Sequence, residues 1–183
     1  EAAFSVAFWV KPSQVSGTIN DIANGVLLHA SPYDNSSCCY FARVGFDGGT
    51  NPVNWMQYQR SMNWVDHSTT GSSSVTTSWY HVVYVIDPAT DTLTLYVDGV
   101  AEITNSYTSS EQYHHNDGGD YTRYWEVGSI SRANLNHNFA GYMDDLIMWD
   151  TALTSAEVTT LYNGGTFGVL PTSPETGYGY IKL

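Results

Sequence analysis

The sequence predicts an all-β chain of antiparallel strands with one short helix near its C-terminus, and three observations predict it. Residues 4–10 alternate strictly, with Phe4, Val6, Phe8 and Val10 on one side and Ser5, Ala7 and Trp9 on the other, which is the period of a strand. The apolar runs that follow are short and bounded by turn formers such as Asn24-Gly25, Ser31-Pro32 and Asp47-Gly48-Gly49. A helix start is legible at Thr154 and Glu157, whose T-x-x-E spacing lets hydroxyl and carboxylate satisfy the free N–H groups of a first turn.

The elements follow in order. The first strand ends at Pro12, which cannot donate to a ladder. Residues 26–30 and 40–46 read as successive antiparallel strands, and residues 54–60 and 62–65 as a shorter, more polar pair. The Ser/Thr tract at 68–77 is a loop by composition. Residues 79–86 and 93–97 form a hairpin around 87–92, where Pro88 sets the turn and, at its far end, Asp98-Gly99 opens another. Residues 111–120 are a long polar loop, and 124–127 resume the sheet, closed by Gly128. In residues 143–149, Asp144, Leu146 and Met148 share one face and Asp145, Ile147 and Trp149 the other. A strand apolar on both faces belongs inside a covered sheet, so Asp144 is expected to be partly desolvated and to need a partner, since an unpaired buried charge is costly. Val158, Leu161 and Tyr162 give the helix its apolar face, and Asn163-Gly164-Gly165 ends it. The expected interior gathers Phe4, Val83, Leu95 and Leu146.

At 183 residues the chain suits one domain, read as residues 1–165 with a tail at 166–183 whose last six residues, from Tyr178, are a candidate final edge strand. A chain of this length buries roughly 70% of its unfolded surface without staples. Six Lys+Arg against 18 Asp+Glu give a net charge of −12, which argues against nucleic acid or an anionic membrane as partner and suits an extracellular, cation-rich setting. No apolar run approaches the ~20 residues that span a bilayer, so no membrane insertion is expected. Cys38 and Cys39 are adjacent, where a mutual disulfide is strained; two thiols and a vicinal or intermolecular bridge both stay open. Asn35-Ser36-Ser37 is a glycosylation sequon. Glu1 in place of a starting Met is what a processed chain, or one excised from a larger protein, would show.

Sugar recognition calls for exposed aromatic rings that stack on pyranose C–H groups beside amides and carboxylates that bond hydroxyls. Aromatics outside the firm core strands are Trp55, Tyr58, Trp64, Tyr113, Tyr121 and Tyr124, near Gln57, Asn63 and Asn116, and these are the candidate ligand-binding residues. His81 alternates with Trp79, Val83 and Val85 and reads as a buried structural histidine. His114 and His115, with Asp117 and Asp120, read as a metal set or as a solvated loop. No nucleophilic triad or phosphate loop is present, and no catalytic residue is assigned.

A closing motif in two parts and three other segments carry a resemblance. Residues 141–149 follow G-x-(apolar)-D-D-(apolar)-x-(apolar)-(aromatic), and residues 152–162 follow A-L-T-x-x-E-(apolar)-x-x-L-Y. With FSVAFWVKP at 4–12, WYHVVYVID at 79–87 and LTLYVDG at 93–99, this resembles the laminin-G-like domains of the concanavalin A-like lectin/glucanase superfamily, in the family's order. The resemblance implies a two-sheet antiparallel jelly roll and a structural calcium ion ligated by Asp144 with main-chain oxygens, the competing reading being an Asp144 satisfied by nearby N–H or hydroxyl groups. Glycosidases on that fold hold two carboxylates ~5–9 Å apart from alternate positions of one strand. The chain has no E-x-D-x-(x)-E run, so it is expected not to be an enzyme. It also lacks the strand that usually precedes the FSVAFWV segment, a vacancy for the C-terminal tail or a neighbouring chain to fill. The implied function is a non-enzymatic, calcium-stabilised binding module for a glycan or an extracellular protein, a lectin or adhesion module that is secreted or set on a cell or virion surface. The competing reading is a structural subunit of a virion, fibre or surface filament, self-assembled by strand exchange or edge pairing, or held beside neighbouring domains of a larger chain.

Overall fold

The alternation of residues 4–10 becomes β1 (Phe4–Pro12), paired antiparallel with β6 (Tyr80–Asp87) in the register Val6↔Tyr84 and Phe8↔Val82. The computed structural model describes the backbone at residues 3–13, 26–32, 40–46, 53–60, 66–106, 123–128, 139 and 141–164, and side chains at 3–13, 71–106, 127–128, 139 and 141–164. By contact density the chain divides into two units, one built on residues 2–11, 79–106 and 142–183 and the other on 12–78 and 107–141.

The first unit holds a five-stranded sheet in which β1 and β6 are joined by β7 (Thr92–Val97), β8 (Val100–Ser106) and β10 (Gly141–Trp149), in the order β10-β1-β6-β7-β8. Pairing from β1 to β8 is antiparallel throughout. One face gathers Val6, Phe8, Val10, Val82, Tyr84, Ile86, Leu93 and Leu95, all buried. The other gathers Ala7, Val83 and Val85 with Trp149, Leu153 and Val158, the last of these from α1 (Ser155–Gly164). Thus Val83 and Leu95, expected in one interior, occupy opposite faces, and Phe4 and Leu146 are only half-buried. The run Val82 to Ile86 is buried at every position, so its parity could not be read from hydropathy.

Helix α1 forms where expected. The Thr154 N–H donates to Glu157 Oε2 at 2.8 Å, and the Glu157 N–H donates to Thr154 Oγ1 at 3.3 Å, closing the capping box. Val158 is fully buried, and Leu161 packs against the same cluster.

The second unit holds a sheet ordered β5-β4-β3-β2-β9, from β5 (Asp66–Ser74), β4 (Val53–Arg60), β3 (Tyr40–Phe46), β2 (Val26–Pro32) and β9 (Arg123–Val127), again antiparallel at every neighbouring pair. Two strands depart from the sequence reading. Residues 68–74, read as loop, belong to β5, because pairing with β4 supplies what a Ser/Thr tract lacks in hydropathy. Residues 100–106 form β8, which returns from a tight turn at Asp98-Gly99, both with positive φ as a two-residue hairpin of this kind requires. The expectations for residues 62–65 and 111–120, for Cys38, Cys39, the Asn35 sequon and the tail at 166–183, lie outside the described residues.

Candidate functional site

The register of the second sheet sorts its residues onto two faces. On one, Val53, Trp55, Val44, Ala42, Leu28, Ala30, Trp125 and Val127 occupy matched positions, a mainly apolar face that also carries Gln57, Gln59, His67 and Thr69 toward β5 and Arg123 at the end of β9. On the other, a single row runs Ser68, Tyr58, Phe41, His29 and Glu126 across all five strands. The adjacent row places Tyr124 opposite Ser31 and Arg60 opposite Asp66, and the row on the opposite flank places Arg43 between Met56 and Val26. This second face mixes aromatic, hydroxyl, imidazole and guanidinium chemistry.

Of the residues singled out in the sequence, Tyr58 and Tyr124 share the polar face. They stand about 16 Å apart, three strand spacings and one two-residue step. Trp55 takes a position of the apolar face, three residues from Tyr58 and therefore of opposite parity. Trp64, Tyr113 and Tyr121 lie outside the described residues. Phe41, His29 and Arg43 join Tyr58 although nothing local marked them, because only the pairing of β2, β3 and β4 brings them into neighbouring rows. In the first unit, Trp79 at 44% and Tyr142 at 64% are the exposed aromatics, and Trp79 precedes β6 rather than joining its core.

Asp144 is exposed, not desolvated as expected. Among the described residues β10 is an edge strand, and Asp145 takes φ 53°, which kinks it locally. Asp144 Oδ1 accepts the Asp145 N–H at 2.8 Å. A cation could reach this carboxylate, but no group of three or more His, Cys, Asp or Glu side chains assembles among the described residues. Calcium there would draw most of its six to eight oxygens from backbone carbonyls.

His81 is buried as expected, 2% exposed. Its ring lies 5.1 Å from that of Trp9 and stacks on that of Tyr162 at 6.2 Å. Burial lowers its pKa to about 4. Its backbone N–H donates to Asp98 Oδ1 at 2.8 Å while the Asp98 N–H donates back to the His81 carbonyl. Burial pushes the Asp98 carboxyl up, and that N–H partly offsets it. Asp98 is therefore the hairpin residue the sequence indicated. The His81 Nδ1 has no hydrogen-bond partner among the described residues, which suits a neutral ring in an aromatic packing site rather than a proton carrier.

A profile of the concanavalin A-like lectin/glucanases superfamily, of laminin-G type, matches residues 1–159. The chain belongs to this superfamily. Among curated proteins none matches it. Solved structures of the same fold include the carbohydrate-binding module, CBM40, of the Ruminococcus gnavus IT-sialidase, with a TM-score of 0.65 at 11% identity over 88% of this chain and 83% of that one. The same module has been solved with α2,3- and α2,6-sialyllactose bound. Domain 4 of AbnA, an extracellular arabinanase from Geobacillus stearothermophilus solved with arabinotriose, gives 0.56 at 19% identity over 87% of this chain and 66% of that one. A SAP-like pentraxin from Limulus polyphemus gives 0.53 at 17% over 88% and 71%. These likenesses establish the jelly-roll fold; the sugars named belong to those proteins.

Proposed function

We propose that this superfamily member is a non-enzymatic, extracellular glycan-binding module whose ligand lies on the face of the second sheet that carries Tyr58 and Tyr124. The observation that carries this reading is that two tyrosines, a phenylalanine, a histidine and hydroxyl-bearing residues share neighbouring rows on one face of that sheet. Rings spaced across a sheet present stacking platforms to successive sugar units, and flanking hydroxyl and imidazole groups fix their orientation. The sialyllactose-bound carbohydrate-binding module and the arabinotriose-bound arabinanase domain, both of this fold, support the class of ligand. No helix among the described residues is long and apolar enough to cross a membrane.

The structural-subunit alternative needs an edge that accepts a strand. Among the described residues the β10 edge is blunted by two adjacent carboxylates and a kink at Asp145, devices that discourage edge pairing. We propose with it a structural calcium ion at Asp144, on the strength of the sequence motif.

Affinity electrophoresis through a panel of polysaccharides tests the reading. Retardation by at least one polysaccharide is expected, weakened roughly fivefold or more by Tyr58→Ala or Tyr124→Ala. The run is made in calcium and in chelator, with Asp144→Asn alongside, and reducing ends are assayed in parallel. Retardation untouched by either tyrosine would move the site elsewhere, and released reducing ends would make the chain an enzyme. An unfolding midpoint equal in calcium and chelator would remove the ion.

A further inference from the structure

The chain carries 18 Asp+Glu against six Lys+Arg, yet β2, β3 and β4, the three central strands of the second sheet, contain no acidic residue. The arginines among the described residues, Arg43, Arg60 and Arg123, all belong to this sheet. Arg43 and Arg60 fall on the same face as Tyr58, while Arg123 pairs with Pro32 on the other. The two acids of the polar face, Asp66 and Glu126, sit on the edge strands β5 and β9, opposite Arg60 and His29's position respectively. Arg43 differs. Its register partners are Met56 and Val26, and it stands one two-residue step from Phe41, with Tyr58 and His29 at the diagonal positions about 7–8 Å away.

A protein this acidic repels anions over most of its surface, and on this face Asp66 and Glu126 stand opposite Arg60 and His29, which leaves Arg43 as the guanidinium with no acid at either register position. Guanidinium binds carboxylate through two parallel N–H donors, a geometry a neutral hydroxyl does not reward equally. Resting on the glycan-binding reading above, we propose that the part of this face where Arg43 stands diagonally beside Tyr58 and His29 is a subsite for a carboxylate-bearing sugar, a sialic or uronic acid unit. Arg43 is the residue assigned to the carboxylate, from its register position diagonal to those of Tyr58 and His29.

Calorimetric titration of the full chain with α2,3-sialyllactose, trigalacturonate, lactose and the methyl ester of each acid tests the proposal. At least one acid should bind tenfold or more tightly than its own methyl ester, and which acid does so separates the sialic from the uronic source. Its affinity should fall as salt rises from low to physiological concentration, whereas that of a neutral sugar should not. Arg43→Gln should lose roughly tenfold to a hundredfold on the acid, the span of a charge-assisted hydrogen bond, and Arg123→Gln should lose nothing. The ester comparison uses the unaltered protein and stands even if Arg43→Gln fails to fold. Equal binding of acid and ester, or an acid preference indifferent to Arg43→Gln, overturns the subsite while leaving the glycan reading intact. Binding of no sugar by a folded chain, here and across the polysaccharide panel, overturns both.

Discussion

At His81 burial decides the protonation state. With a pKa lowered from 6.5 to about 4, the folded chain keeps this ring neutral where the unfolded chain would protonate it. The stability tied to the neutral ring is fully present above pH 6.5 and is lost as pH falls from there to about 4, a difference of about 3 kcal/mol. Asp98 beside it acts in the opposite sense, since burial raises its carboxyl, and its contribution belongs to both proteins in the comparison that follows. Urea unfolding of the wild type and of His81→Leu should give stability curves that diverge from pH 7 down to pH 4, the wild type falling faster. Parallel curves would mean that the ring is protonated inside the fold. The histidine's burial was legible from its spacing with Val83 and Val85. Its clamp between Trp9 and Tyr162 was not, because those rings come from distant segments.

The element that ties the first sheet together is the corner between β10 and α1. Ser5, a small polar residue within an apolar strand, is fully buried there. Its Oγ donates to the Thr151 carbonyl at 2.7 Å and accepts the Leu153 N–H at 2.9 Å, across 146 and 148 residues of sequence. The helix is held at its far end as well, where Tyr162 packs on the Asp98-Gly99 turn so closely that a Cβ on Gly99 would meet its ring at 3.1 Å. Ser5→Ala keeps the volume and removes the acceptor, leaving a buried N–H at Leu153. The expected loss is about 1–3 kcal/mol, read as a lower urea midpoint with an unchanged slope. A midpoint within error of the wild type would show that the corner finds another acceptor. The capping box of α1 was legible because its residues are local, three positions apart. The anchoring of the corner depends on a partner at the other end of the chain, and the Ser/Thr tract of β5 declares itself only through β4.

At the scale of the molecule, alternation, turn formers and the ordered motifs were enough to place the family and every described strand except β5 and β8, because each is a local signal. The candidate site was only half legible. Aromatics outside the core strands could be named, but which of them share a face depends on parity and register across β9, β2, β3 and β4. That ordering separates Trp55 from Tyr58 and brings in Phe41, His29 and Arg43. Asp144, expected under cover, is exposed because β10 lies at the edge of its sheet among the described residues. The central claim is that a glycan occupies the polar face of the second sheet. The most direct measurement is the change in backbone amide resonances as a retained sugar is titrated into isotope-labelled protein. The account predicts shifts concentrated at alternate positions such as His29, Ser31, Phe41, Arg43, Met56, Tyr58 and Tyr124, with β6 and β7 silent; shifts gathered on the first sheet, around Trp79 or Tyr142, would contradict it.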